Sequence, residues 1–233
     1  MIVRFHALFQ QARNKWRDHI LTALTLTLVL HLFVVTPLSS HPGATFTTLN
    51  AVLAIVLAGG LLTLARNWIA VTLLLLFVGL FALSHVLQGY SISDMEIVRI
   101  RAGAWLLMAL AMAWIIARAV YARGQITYHR VVGAVFLYLC IGIFFAALYA
   151  MGASLTVNAL SGITIRPHAS LATEAVYFSF VTLTSVGYGD IAPIDPLLRG
   201  LANFEAIVGQ LYPATLLARL VASEVRIGGP GSS

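Results

Sequence analysis

Six stretches of this 233-residue sequence run for about twenty residues with few charges: 19–38, 45–64, 68–87, 102–120, 131–152 and 197–223. That length is what an α-helix needs to cross the hydrocarbon of a bilayer. Inside hydrocarbon every backbone N–H and C=O must be paired within the protein, which leaves helices and closed barrels as the only spanning structures. Continuous apolar runs, rather than alternating ones, predict helices. With 60% hydrophobic and 9% charged residues and a mean hydropathy of +0.93, the chain is neither a soluble globule nor disordered. The expected fold class is an all-α membrane protein with six transmembrane helices.

The net charge of +6 and isoelectric point near 9.9 would suggest nucleic acid in a soluble chain. Here the 14 Lys and Arg mark sidedness instead, and no nucleic-acid partner is expected. Arg4, Arg13, Lys15, Arg17, Arg66, Arg118, Arg123, Arg130, Arg219 and Arg226 fall on one side of the six runs. Arg99, Arg101, Arg166 and Arg199 fall on the other. Ten against four places both termini in the cytoplasm of a multi-pass integral membrane protein.

Residues 2–16 bring Phe5, Leu8, Phe9, Ala12 and Trp16 to one face at helical spacing, with Arg4, Gln11 and Lys15 elsewhere. This predicts a basic amphipathic helix over 1–18 on the inner membrane surface, in contact with lipid; a frayed tail is the alternative. The first apolar run is long for a signal peptide and lacks a clear small-x-small cleavage site, so it reads as a span. The lone Cys140 lies within an apolar run and excludes a disulfide framework or thiolate metal site within one chain.

Between the fifth and sixth runs lies 171–184, apolar but too short to cross, followed by Thr184-Ser185-Val186-Gly187-Tyr188-Gly189-Asp190 and then Pro193. Non-helical backbone is tolerated at membrane depth only where protein buries it or it lines a watery path. Glycines in alternation allow φ > 0, so that carbonyls which normally alternate sides can all face one way. Such rows from several chains around an axis can replace the water shell of a cation, and the Ser185 hydroxyl adds an oxygen at the inner end.

This segment resembles the signature of tetrameric potassium channels, over about 100 residues from the fifth run through the sixth. The resemblance implies an outer helix, a re-entrant pore helix, a selectivity-filter loop and an inner helix. Ser170 would cap the pore helix, with Glu174 near its first turns, and its carbonyl end would face a central cavity. The carbonyls of Thr184, Ser185, Val186, Gly187 and Tyr188, with Gly189, would form the ion sites, supported by Thr182, Tyr177, Glu205 and an Asp190 cuff. The family often pairs that Asp with a pore-helix Trp; here Tyr177-Phe178 stands instead, so the cuff is altered. Ser185 replaces the usual Thr, keeping the hydroxyl without the methyl. Gly209, 20 residues after Gly189, occupies the place of a hinge glycine, and Pro213 would break a further hydrogen bond; helix packing alone is the other reading of both. Glu205 either hydrogen-bonds behind the pore helix or faces the ion path.

A voltage sensor needs cations at about every third residue. The fourth run has Arg99, Arg101 and Arg118, none between the last two, and no Asp or Glu occurs from His19 to Gln88. Conventional voltage gating is therefore not expected. His31, His85, Thr25, Thr27 and Thr48 read as interhelical packing and polar contacts. With about ten residues after Ser223, no nucleotide-binding or calcium-binding domain is expected there.

The expected organisation is an N-terminal helix at 1–18, a four-helix membrane domain at 19–125, a pore domain at 126–226 and a flexible tail at 227–233. The expected function is passive potassium conduction by a homotetramer in a bacterial inner membrane. No cofactor, enzymatic activity or small-molecule substrate is expected; potassium is the transported ion. A weakly selective cation channel and a non-conducting scaffold or regulatory subunit are the alternatives.

Overall fold

The computed structural model describes residues 20–38, 44–64, 68–87, 90, 93–120, 128–156, 158–163 and 170–227. The helix expected over 1–18, Arg66, Arg123, Arg166 and the tail after 227 lie outside the described residues, as does the Ser170 side chain. The helices are α1 (Ile20–Leu38), α2 (Ala44–Leu64), α3 (Trp68–Leu87), α4 (Asp94–Val120), α5 (Tyr128–Leu155), α6 (Ser170–Leu183) and α7 (Pro196–Ile227). Strands β1 (Leu160–Ser161) and β2 (Ala192–Pro193) form one short antiparallel pair.

Among the described residues four helices are long and apolar enough to cross a membrane: α1, α3, Met95–Arg118 of α4 and Val131–Leu155 of α5. Helix α2 has 21 residues, enough for about 30 Å. Helix α7 has 32 residues but is more polar, because Asn203, Glu205, Gln210 and Arg219 interrupt it. These elements make an all-α membrane protein.

The elements pack in sequence order, α3 on α4, α4 on α5, α5 on α6 and α6 on α7. In lipid the hydrophobic effect does not drive helices together, so close packing has to. Helix α4 meets that demand with small side chains: Ala104, Ala109 and Ala111 are fully buried beside Met108 and Met112. Around them pack Leu28, Leu57, Leu61, Leu74, Phe77 and Phe136. A second cluster, Phe145, Tyr149, Ala175, Phe178 and Leu198, joins α5, α6 and α7.

Two departures from the expected helices have local causes. Helix α4 begins at Asp94, eight residues before the apolar run. Ser93 and Glu96 stand in capping-box spacing, the Glu96 N–H reaching the Ser93 carbonyl at 3.0 Å and Oγ at 3.4 Å. Helix α1 contains a π-helical stretch, His31–Val35, just before Pro37. Proline offers no N–H and its ring crowds the carbonyl four residues back. The chain adjusts by one residue, the Thr36 N–H bonding the His31 carbonyl, to which Thr36 Oγ1 also donates at 2.8 Å. At and just after this bulge α1 reaches α6, with Phe33 and Phe180 rings 5.4 Å apart and Thr173 Oγ1 donating to the Thr36 carbonyl at 3.4 Å.

The α4 arginines have local partners. Arg99 pairs with Glu96 at 2.6 Å and donates to the Ser154 carbonyl at 2.9 Å. Arg101 Nε reaches Ser84 Oγ at 3.4 Å, and the Arg118 guanidinium lies 5.6 Å from the Trp114 ring centre.

Candidate functional site

Helix α6 ends at Leu183, and the next residues turn back on it. The Thr184 N–H and Oγ1 both donate to the Phe180 carbonyl (3.1 and 2.6 Å), and Ser185 N–H donates to Thr182 (2.9 Å). Val186 and Gly187 N–H groups share the Val181 carbonyl at 3.0 and 3.3 Å. The Leu183 carbonyl accepts from the Tyr138 hydroxyl of α5 at 3.3 Å. The last carbonyls of α6 are thus taken up inside the chain, and what the helix end projects further is the field of its dipole.

Backbone handedness then alternates. Ser185, Gly187 and Gly189 have φ of 57°, 59° and 80°, whereas Val186 and Tyr188 stay on the ordinary side. Two of the three left-handed positions are glycine, which adopts them without steric cost; Ser185 is the exception. Residues 184–190 are all exposed, Val186 at 52% and Tyr188 at 71%.

The outer end of the segment is clamped. Strand β2 pairs with β1 in the register Leu160↔Pro193 and Ser161↔Ala192. Ser161 Oγ donates to the Ala192 carbonyl at 3.0 Å, and Ile194 N–H donates to Ala159 at 2.9 Å. Gly162, at φ 80°, lies so close to the Asp190 carbonyl that a Cβ there would overlap it. Asp195 Oδ1 accepts the N–H groups of Leu197 and Leu198 and so caps α7.

Tyr177 donates to Asp190 Oδ2 at 2.8 Å, and its ring lies parallel to that of Tyr188, 6.5 Å away. The hydrogen bond to Asp190 holds the Tyr177 phenol above its ordinary pKa, so it keeps the proton it donates. An aromatic donor therefore meets Asp190 without a tryptophan. The neighbouring Phe178 points inward instead, against Tyr149 at 4.7 Å. Tyr177→Phe removes the bond from an exposed site, where water replaces the lost partner, so stability is expected to change little. Thermal unfolding of the purified protein checks this.

Glu205 is fully buried behind α6. One carboxylate oxygen accepts from the Tyr149 hydroxyl at 2.6 Å, and the other meets Ser179 Oγ, which also lies 2.8 Å from the Gly142 carbonyl. Three helices meet at this one side chain. Thr182 is half-buried and contributes its carbonyl to the turn. Gly209 is where α7 touches the end of α6: a Cβ there would overlap the Leu183 carbonyl. The helix runs unbroken through Gly209 and Pro213.

Sequence reasoning missed several members of this constellation, among them Tyr138, Tyr149, Ser179 and Gln210. Gln210 Nε2 donates to Ser185 Oγ at 2.9 Å across 25 residues of sequence. Polar residues inside apolar runs were the available signal, but pairing them requires the fold.

A short helix and an alternating-handed loop, clamped at both ends between two long helices, define a helical membrane protein with a built, exposed loop. The chain belongs to the ion channel family: residues 105–224, just over half of it, match the Ion_trans_2 ion channel model. It is similar to Protein LctB of Bacillus caldotenax, 38% identical over 90 residues, which cover 36% of this chain and 64% of that protein. Protein LctB of Geobacillus stearothermophilus is 40% identical over 52 residues, 22% of this chain and 38% of that protein. The chain thus spans less than two thirds of the length of either curated relative. No solved structure matches it.

Proposed function

We propose that this protein is a potassium-selective channel whose working unit is a homotetramer. The observation that carries the reading is the alternation of positive φ at Ser185, Gly187 and Gly189 in a loop clamped at both ends. Alternating handedness turns successive carbonyls of an extended chain toward one side, which suits replacement of a cation's water shell. One chain supplies one wall, and four walls close a path around an axis. The exposure of residues 184–190, and of Phe204, Ile207 and Leu211 along α7, fits surfaces awaiting copies or lipid.

In this reading α5, α6 and α7 form the pore domain within 126–226, and α1 to α4 a peripheral bundle within 19–125. Helices α2 and α7 complete six spans, with α6 re-entrant and both termini in the cytoplasm of a bacterial inner membrane. The exposed polar residues of α7, Asn203, Gln210 and Arg219, suit a helix that borders water. Pro213 removes the donor that the Gly209 carbonyl would otherwise meet, so α7 is weakest against bending over 209–213. Helix α4 carries no cation between Arg101 and Arg118, so currents should depend weakly on voltage.

The test is planar-bilayer recording of purified protein in asymmetric potassium and sodium. A reversal potential near the potassium equilibrium value supports the reading. A value near zero supports a weakly selective channel instead, and no flux at any voltage supports a scaffold or regulatory subunit. Tyr188→Asp should move the reversal potential toward zero, because a carboxylate replaces the ring that stacks on Tyr177. Unchanged selectivity in that variant would contradict the role given to this loop.

A further inference from the structure

Gln210 has no stated role in the pore scheme above, yet its side chain reaches from α7 to the loop. It follows Gly209, whose missing side chain lets α7 approach the Leu183 carbonyl. At that closest approach the exposed Gln210 amide donates to Ser185 Oγ at 2.9 Å. Ser185 in turn is the one non-glycine residue of the loop with left-handed backbone.

We infer that Gln210 is a positioning residue for the innermost ion site, setting the Ser185 hydroxyl through its amide N–H. The inference rests on the pore reading. A serine hydroxyl has one proton and two lone pairs. With one lone pair held by Gln210, the other remains for a cation and the proton must point elsewhere. Serine lacks the β-methyl that restricts threonine, so without this partner its Oγ is free among three rotamers. Gln210 supplies the restriction from outside. Because Gln210 lies on α7 within the weak stretch 209–213, displacement of that helix draws directly on the innermost site.

Barium, with about the radius of potassium and twice its charge, probes such a site as a blocker. In bilayer recordings with barium added in turn to each side, Gln210→Leu should weaken block about three- to tenfold, the worth of one hydrogen bond. Gln210→Glu should strengthen block by placing a negative charge beside the hydroxyl. Gln210→Met, which keeps the side-chain length, carries the leucine expectation should the leucine variant not assemble. Ser185→Ala removes the group acted on, so Gln210→Leu should add nothing in that background. Unchanged block in Gln210→Leu, or equal weakening with and without the Ser185 hydroxyl, overturns the inference while leaving the pore reading intact. Wild-type protein that passes no potassium overturns both.

Discussion

Gly209→Val is expected to abolish the native seating of α7 on α6 and, with it, any ion current. A Cβ at position 209 would overlap the carbonyl oxygen of Leu183, and its next nearest neighbours are the Leu183 carbonyl carbon and Cα. Flexible side chains can rotate away from an added methyl, but backbone cannot. Leu183 is fully buried, and its carbonyl is also held by Tyr138 from α5, so α6 has little room to yield. Overpacking a core typically costs about 1–3 kcal/mol, occasionally more; backbone meeting backbone belongs at the upper end. Any displacement is passed to the adjoining Thr184 and thence to the alternating loop. Gly79→Ala is the matched control, since nothing lies within 4 Å of a Cβ there. That variant should melt within a degree or two of wild type, whereas Gly209→Val should fail to yield protein with a cooperative transition. A valine variant that melts and conducts normally would mean that α7 stands further from Leu183 than described.

Packing thus gives position 209 a reason to be glycine that the sequence does not display. Spacing from Gly189 suggested a hinge; the close approach requires a missing side chain whether or not the helix bends. The same division runs through the rest of the molecule. The apolar runs at 19–38, 45–64 and 68–87 fall on α1, α2 and α3, because in lipid the helix is the only local solution. The start of α4 was not legible from hydropathy, since the helix continues past the apolar stretch through Arg101 and Arg99 to a Ser93 cap. Nor did hydropathy betray the π-helical turn before Pro37, which depends on backbone bookkeeping rather than side-chain polarity. At the candidate site, glycine alternation pointed to left-handed backbone at Gly187 and Gly189. Ser185 joining them did not follow from residue type, because it opposes serine's own preference. The contacts Gln210–Ser185 and Ser179–Glu205 join residues 25 and 26 apart, and only helix packing brings them together.

Glu205→Leu should cost far more than Glu205→Gln, and the contrast bears on how α6 is held. All three side chains at this junction, Tyr149, Ser179 and Glu205, are fully buried. Leucine fills much of the same space but accepts no hydrogen bond, leaving the buried Tyr149 hydroxyl without its partner, while Ser179 keeps the Gly142 carbonyl 2.8 Å away. An orphaned buried group costs about 1–3 kcal/mol. That is a fall in melting temperature on the order of 5 °C for a chain of this size. Glutamine can satisfy every partner at once. Its carbonyl accepts from Tyr149, its N–H donates to Ser179 Oγ, and the single Ser179 proton goes to the Gly142 carbonyl 2.8 Å away. Stability of the glutamine variant should therefore stay within about 1 kcal/mol of wild type. Gly142 lets α6 lie close here, for a Cβ would collide with the Phe180 ring, so the network and the close packing fix the same stretch of helix. If Glu205 acts by holding α6, current should fail with stability in the leucine variant and persist in the glutamine variant. Were the glutamine variant stable but silent, the carboxylate would be acting by its charge, and a role in the ion path would replace the positional one.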